Sequence, residues 1–364
     1  MTFNGVHNPD IWFFFGNMLI SWKANIGDMG KVIDRREFLG RLAGAGALVA
    51  VSGLPAVAAE NDGTGNMVPA GEKEKLFARR GRFERLALSY AVVKIGLEHP
   101  FSVMHISDTH LSEAYPGEGE TKRILKEKRS ASFGGFQEQA LRDSLDWARR
   151  NVDYIVMTGD LIDWQSEANF DLVRKYFGEG MTGSVGNHEF SPDMWLSAIK
   201  EERTEAFKDN TRSLIQSVYP FDLQFCSQVV NGVNFITLDN VYGYVVQKQV
   251  DLFKAEAARG LPIVLCMHVP FFTDDIWTAT CRFWGHQNEK FTDGSVPPPA
   301  GDYLIQKEDA VTREFTSYLK DEPLLKAILA GHEHITMQDR FSPTAVEYLV
   351  GGNFLLQARE ILFV

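Results

Sequence analysis

Five short apolar segments of the chain end directly in residues that can bind a metal ion. The segments are 101–107, 154–158, 181–185, 262–267 and 327–330, and they run into Asp108, Gly159-Asp160, Gly186-Asn187, His268 and Gly331-His332. Runs of this kind are typical of strands that are buried on both faces of a sheet. The carboxyl ends of such strands meet at one edge of a layered domain, where ligands bind. The sequence therefore predicts a single cleft that collects polar side chains from distant parts of the chain.

Segments with helical periodicity alternate with these strands. In the segment 136–150, one face carries Phe136, Ala140, Leu141, Leu145 and Ala148. Helices are also predicted at 167–177, 192–217, 246–259 and 307–320, and further strands at 83–88, 91–97, 223–230 and 233–238. The dipeptide Asn231-Gly232 between the last two strands is a strong signal for a hairpin turn. Strands that alternate with helices of this length indicate a layered α/β domain.

The mixture of residue types at the strand ends indicates which metals the cleft would bind. Imidazole and carboxylate groups together suit borderline metals such as Zn, Mn and Fe, whereas oxygen ligands alone would suit Mg or Ca. Two cations held close together repel each other, so they need an anionic oxygen between them, and Asp160 is the candidate bridge. Two ions about 4 Å apart can hold both a phosphate and the attacking water. A bound cation also lowers the pKa of that water towards neutrality.

Five short motifs occupy these strand ends. They are Asp108-x-His110, Gly159-Asp160-x-x-Asp163, Gly186-Asn187-His188-Glu189, His268-x-Pro270 and Gly331-His332-x-His334. Together they resemble the five signature blocks of the calcineurin-like metallophosphoesterases, and they occur in the same order. One such motif arises by chance in many chains, but all five in order are specific. The resemblance implies an αββα sandwich of two mixed β-sheets flanked by helices, with the metal site at the carboxyl ends of the strands.

The resemblance also implies a role for each polar residue. A first metal ion would be held by Asp108, His110, Asp160 and His334. Asp160 would bridge to a second ion that is also held by Asn187, His268 and His332. His188 would contact the phosphoryl group or donate a proton to the leaving oxygen. Asp163 and Glu189 would orient the ligands or close the turn between them.

These roles predict hydrolysis of a small phosphoester, with Asp160 and His188 as catalytic residues. The attacking group would be a hydroxide activated by two divalent or trivalent ions (Mn, Fe or Zn), without a covalent phosphoenzyme. A phosphodiesterase that acts on nucleotides or lipid head groups is the alternative to a monoesterase, because the same ligands serve both. A non-catalytic metal-binding scaffold would lack ligands, and none is missing. A metallopeptidase is disfavoured because the chain lacks the motif His-Glu-x-x-His.

Two segments are candidate walls of the substrate site. The long insert 271–306 is rich in aromatic residues, among them Trp277, Phe283, Trp284, His286 and Phe291. These rings would stack on a substrate or simply pack the insert onto the domain. The segment 112–136 carries the basic residues Lys122, Arg123, Lys126, Lys128 and Arg129. Such a cluster would attract phosphates or form a solvated face.

The first 75 residues have a different character from the rest of the chain. Arg35 and Arg36 precede an uncharged run that ends in small residues at Ala59, as in a secretory signal. The pair resembles a twin-arginine export signal, although Asp34 and Gly40 depart from that pattern. We therefore predict an upstream extension at 1–28, a signal peptide at 29–59, a flexible leader at 60–75 and the catalytic domain at 76–364. The twin-arginine machinery would then export the protein to the periplasm or beyond, with no permanent membrane span in the mature chain.

Charge and cysteine content restrict the partners and the covalent links. The formal net charge of -11 argues against a nucleic-acid scaffold as partner, because proteins that bind one usually carry a basic face. An exported chain can form disulfides. Of the three cysteines, Cys266 lies inside an apolar run, so Cys226–Cys281 is the better pair. Cysteine spacing indicates no metal site.

Overall fold

The computed structural model describes residues 10–15, 18–23, 86–178, 180–192, 204–284, 305–307 and 309–364. The chain divides into two units, Met1–Arg82 and Phe83–Val364. In the first unit, the strands Asp10–Phe15 (β1) and Met18–Lys23 (β2) pair antiparallel. The predicted signal peptide and leader lie outside the described residues. The division of the chain drawn from the sequence therefore stays a prediction.

Two mixed sheets form the frame of the second unit. The first contains Ala87–Val93 (β3), Phe101–Ile106 (β4), Tyr154–Thr158 (β5), Met181–Ser184 (β6) and Gln357–Phe363 (β13). Their order is β3-β13-β4-β5-β6. Strands β4, β5 and β6 are parallel, whereas β13 runs antiparallel to β4. The carboxyl ends of these three parallel strands therefore lie next to one another at the same edge of the sheet.

The second sheet has the same mixed character. It contains Phe225–Val230 (β7), Val233–Leu238 (β8), Ile263–Cys266 (β9), Leu325–Ala330 (β10), Met337–Arg340 (β11) and Val346–Leu349 (β12). Their order is β11-β12-β10-β9-β8-β7. The four inner strands are parallel, and the edge strands β7 and β11 are antiparallel to their neighbours.

Seven helices in the described part of the second unit flank these sheets. They are Glu120–Ser132 (α1), Gln137–Asn151 (α2), Glu167–Tyr176 (α3), Glu205–Gln216 (α4), Gln247–Ala257 (α5), Asp274–Trp284 (α6) and Ala310–Asp321 (α7). One apolar layer lies between the sheets, where Val103 and Val156 pack with Phe235 and Val264. The next residues along the same strands face outwards into two further layers under the helices. Strands that are apolar on both faces therefore build the predicted αββα sandwich.

Several elements differ from the prediction for physical reasons. The predicted strands 83–88 and 91–97 are one strand, Ala87–Val93, which pairs with β13 along its whole length. Phe136 is 44% exposed, because it is the residue before the first turn of α2 and not a member of its buried stripe. The predicted helix 192–217 begins at Glu205 in the described residues, where the Thr204 side chain caps it. The strands β11, β12 and β13 were missed because they are short or carry buried charges.

The proposed disulfide does not form. Cys226 on the edge strand β7 packs against the layer under α2, whereas Cys281 in α6 lies in a separate apolar cluster with Trp277. None of the three cysteines forms a disulfide, and Cys266 is buried as well. In the described segments, no helix is long and apolar enough to span a membrane.

Candidate metal centre

In each sheet, backbone hydrogen bonds join neighbouring loops at the carboxyl ends of the strands. The backbone N–H of Asp108 donates to Gly159 O at 3.0 Å, and that of His110 donates to Asp160 O at 2.9 Å. In the second sheet, Gly331 N donates to His268 O at 3.0 Å. These backbone hydrogen bonds fix the spacing between neighbouring loops without help from side chains.

An unusual backbone conformation directs five of the seven predicted ligands. Positive φ angles between 52° and 67° occur at Asp108, His110, Asp160, His332 and His334. This left-handed conformation costs roughly 1–2 kcal/mol for a residue with a Cβ, and it is concentrated at functional sites. The strained residues are therefore concentrated where the predicted ligands converge.

The converging side chains form two groups. In the first, ligand atoms of Asp108, His110 and His334 lie within 4.8 Å of one another, and His110 Nε2 is 3.1 Å from His334 Nε2. In the second, Asp160, His268 and His332 are equally close, and His268 Nε2 is 3.1 Å from His332 Nδ1. The amide oxygen of Asn187 lies 3.2 Å from His268 Nε2 and so belongs to this second group. The structure thus brings all seven predicted ligands together.

The Asp160 carboxylate lies between the two groups. Its Oδ2 atom is 3.3 Å from His268 Nε2 in the second group and 3.8 Å from His110 Nε2 in the first. The same oxygen is 3.8 Å from His188 Nε2. The other oxygen, Oδ1, accepts the backbone N–H of His188 at 3.0 Å and thereby fixes the carboxylate.

The protonation of this cluster suits metal binding. Burial lowers the pKa of His110 to about 4 and that of His332 to about 3, so both rings are neutral. Burial opposes the charge of Asp108, but hydrogen bonding and the charge of His334 lower its pKa to about 2. Burial also opposes the charge of His268, whereas the Asp160 and Asp108 carboxylates raise its pKa to about 10. A cation would therefore displace a proton from that ring.

The second nitrogen of two rings is held by a partner outside the cluster. His110 Nδ1 lies 2.9 Å from Asp163 Oδ1, and His268 Nδ1 lies 2.7 Å from Thr158 O. Such contacts fix the orientation of a metal-binding imidazole and turn its Nε2 towards the ion. The donor set of carboxylate, imidazole and amide groups, with orientation fixed in this way, fits two borderline metal ions.

Asp163 and Glu189 support the cluster in different ways. Asp163 contacts His110 and also His188, whose Nδ1 is 2.8 Å away. Burial favours the neutral acid, but Arg129 and the two rings hold the pKa of Asp163 well below its usual range. Glu189 closes the turn at Asp160, because its carboxylate accepts the backbone N–H groups of Asp160, Leu161 and Gly186 at 2.6–3.0 Å.

Sequence reasoning missed two polar residues that organise the site. The Asn240 side-chain oxygen accepts the backbone N–H groups of His268 and Val269 at 3.1 and 3.0 Å. Asn240 follows the apolar strand β8 just as the ligands follow theirs, and this signal could have found it. Arg129 donates to Asp163 at 2.8 Å from Nη2. No motif distinguishes Arg129 from the other basic residues of its segment.

Each of the two predicted walls of the substrate site contains some residues that face the site and others that do not. In α1, the surface residues Lys122, Arg123 and Lys126 pair with glutamates, whereas Arg129 pairs with Asp163 at the site. In the insert, Trp277 is buried in an apolar cluster, as simple packing predicts. Trp284, however, lies 5.4 Å from the His334 ring. His286, Phe291 and the three prolines at 297–299 lie outside the described residues.

Comparisons with known proteins identify the family of the chain. Residues 101–336 match the family model described as calcineurin-like phosphoesterase. No curated protein matches significantly. Among solved structures, the chain is similar to a dimetal phosphatase from Danio rerio, with 15% identity, a TM-score of 0.42, and coverage of 70% of this chain and 88% of that one.

Two nucleotidase structures are also similar. One is a putative 5'-nucleotidase from Staphylococcus aureus (12% identity, TM-score 0.36, 70% of this chain and 49% of that one). The other is the 5'-nucleotidase from Candida albicans (12% identity, TM-score 0.34, 74% of this chain and 48% of that one). The chain spans about half of the length of these two proteins. Because the family model covers more than half of the sequence, the chain belongs to the calcineurin-like phosphoesterase family, whose members hydrolyse phosphoester bonds.

Proposed function

We propose that this enzyme hydrolyses small phosphomonoesters with two metal ions held by the seven ligands. The position of the Asp160 carboxylate between the two ligand groups is the observation that carries the proposal. Asp108, His110 and His334 would hold one ion, Asn187, His268 and His332 the other, and Asp160 both. Bound there, the two ions would bind the phosphate, activate the attacking water and neutralise charge that develops on the phosphoryl oxygens.

His188 is the residue that we assign to the leaving group. Its Nδ1 is held by the side chain and the backbone carbonyl of Asp163, at 2.8 and 3.0 Å. This fixes the ring with Nε2 on the side of Asp160. Burial opposes a charge on His188, but the Asp160 and Asp163 carboxylates outweigh it and raise the pKa to about 9. A ring whose Nδ1 is held by Asp163 can carry a proton on Nε2 and donate it to the departing oxygen, which contributes about 10²–10⁴-fold in rate.

Metal-dependent hydrolysis of two generic esters tests this function. Protein treated with EDTA and reloaded with Mn²⁺, Fe²⁺ or Zn²⁺ is assayed on p-nitrophenyl phosphate and on bis-p-nitrophenyl phosphate. The proposal expects a higher kcat/KM on the monoester and loss of activity in Asp108→Asn. Asp171→Asn, on the exposed face of α3, is the matched control and keeps activity. A preference for the diester would favour a phosphodiesterase, and a loaded protein inert on both would favour a scaffold.

We also propose that the protein works outside the cytoplasm, in the periplasm or otherwise exported. The paired Arg35 and Arg36 before an uncharged small-residue run support this location. Twin-arginine export would suit an enzyme that folds around its ions before it crosses the membrane. Replacing both arginines with lysine is expected to leave the precursor in the cytoplasm in a fractionation assay. Unchanged export of that variant would contradict the route.

A further inference from the structure

Four partly exposed aromatic side chains form an arc along one side of the metal centre, in two contacting pairs that each pack against the His334 ring. The arc consists of Phe133, Phe354, Trp284 and Phe283. Phe133 stacks on the His110 ring at 4.5 Å and contacts Phe354 at 4.7 Å. Phe354 lies 5.2 Å from the His334 ring, and Trp284 lies 5.4 Å from the same ring. Phe283 extends the arc from Trp284 at 5.1 Å and is 42% exposed.

The arc borders only one of the two ligand groups. Every ring contact between the arc and a predicted ligand involves His110 or His334, which belong to the first group. Within the described residues, the ring contact of the second group joins His268 to His332. The site is therefore apolar and aromatic on one side, and a substrate that extends from the ions towards the first group would lie against this arc.

The backbone around Phe354 holds its ring at the site. Asn353 is fully buried, and its backbone N–H donates to Ser107 O at 2.9 Å, directly before Asp108. Gly352 leaves room for the ring, because a Cβ at that position would overlap Phe354. Trp284 is fixed as well, since its indole Nε1 donates to Glu333 Oε2 at 2.9 Å, between the two ligands of the last motif. Rings fixed in this way can contact a ligand without further loss of side-chain entropy.

The members of the arc have different roles. Phe133 stacks on the His110 ring, and the Arg129 guanidinium lies over the Phe133 ring, 4.7 Å from its centroid. It therefore positions His110 and the neighbouring Phe354. The two rings against His334, Phe354 and Trp284, are the members that we assign to ligand contact.

We propose that the arc is a subsite for a planar aromatic group on the leaving alcohol of the substrate. This inference rests on the proposed function, because the ester must reach the two ions for its leaving group to reach the arc. Aromatic rings prefer offset or edge-to-face contacts with other rings, beyond the burial of apolar area. The subsite would therefore select an aromatic phosphoester over an aliphatic one of equal size.

Benzyl phosphate and cyclohexylmethyl phosphate test this selection, because both release a primary alcohol with seven carbons and differ in planarity. Wild-type protein loaded with Mn²⁺ is expected to favour the benzyl ester about 2- to 10-fold in kcat/KM, the size of one aromatic pair. Phe354→Leu keeps an apolar side chain but removes one of the two contacting rings, so it should lower this ratio towards 1. Phe136→Leu is the matched control: Phe136 is exposed, makes no ring contact with the arc in the described residues, and should keep the wild-type ratio.

A binding measurement separates the subsite from catalysis. The dissociation constants of benzylphosphonate and cyclohexylmethylphosphonate, measured by calorimetry, should show the same preference and the same loss in Phe354→Leu. A loaded protein that hydrolyses neither ester yet shows this preference would contradict the proposed function and support the subsite. Equal affinities in the wild type, a preference that is unchanged in Phe354→Leu, or no binding of either phosphonate would overturn the subsite.

Discussion

His188 Nδ1 lies 2.8 Å from the Asp163 carboxylate, which fixes the ring with its other nitrogen on the side of Asp160. If His188 protonates the leaving group, its loss should matter most for a poor leaving group. We expect His188→Ala to lower kcat about 10²–10⁴-fold on glycerol 2-phosphate and much less on p-nitrophenyl phosphate, with metal content retained. An equal loss on both substrates would instead indicate contact with the phosphoryl group.

Arg129 reaches the site through the Asp163 carboxylate. Its guanidinium donates to the Asp163 carboxylate, which in turn orients His110 and His188. Loss of such a supporting group typically costs about 10–100-fold in metal affinity or activity. Arg129→Ala should show a loss of this size in kcat, and Arg129→Lys should recover part of it. The neighbouring Lys128→Ala provides the control, and an unaffected Arg129→Ala would contradict the role.

Gly331 is the closest packed glycine at the ligands. A Cβ at this position would overlap the Ser107 hydroxyl and a carboxylate oxygen of Asp108. Gly331→Ala should therefore lower the free energy of unfolding by about 1–3 kcal/mol and weaken metal binding. Gly178→Ala meets no atom within 4 Å and should change the stability by less than about 0.5 kcal/mol. Urea unfolding with metal analysis compares the two, and similar effects would contradict the packing argument.

Glu347 couples the stability of the fold to pH. Burial raises its pKa to about 8 from a usual value of 4.5, while Oε1 accepts the backbone N–H of Phe271 at 2.8 Å. The folded state holds the proton of Glu347 more tightly than the unfolded chain does. The stabilisation that this proton gives to the folded state is therefore complete below pH 4.5 and is lost as the pH rises towards 8.

Glu347→Gln keeps the acceptor for Phe271 but removes this titration. As the pH rises from 4.5 to about 8, the unfolding free energy of the variant should increase relative to that of the wild type by about 1.4 kcal/mol per pH unit. Denaturant unfolding at several pH values measures the difference. Glu127→Gln, on the exposed face of α1, controls for the substitution itself. A difference between Glu347→Gln and wild type that does not change with pH would contradict the titration.

The layered fold could be predicted because it depends on local patterns. The strands that end at Asp108, Asp160 and His268 are apolar on both faces, and this pattern already indicates a sheet covered on both sides. The strands β11 and β12 carry alternating or charged residues such as Asp339 and Glu347, so the same pattern does not reveal them. The burial of β12 comes from tertiary contacts that a single sequence does not display.

The ligands could be predicted and their surroundings could not. Each ligand follows a strand and falls in a motif of fixed spacing. Arg129, Phe133 and Phe354 reach the site from a surface helix, from the end of that helix and from a turn near the carboxyl end of the chain. Their sequence neighbours carry no sign of this position, because it arises from the packing of distant loops around Asp108.

Metal stoichiometry tests the two-ion site most directly. After EDTA treatment, reloading with Mn²⁺ and removal of free metal, mass spectrometry of the elements should find about two ions per wild-type chain. Asp160→Asn keeps the size of the side chain but removes the charge between the two ligand groups, so it should retain fewer than about one ion. Wild-type protein with a single ion, or Asp160→Asn with two, would contradict a bridged two-metal centre.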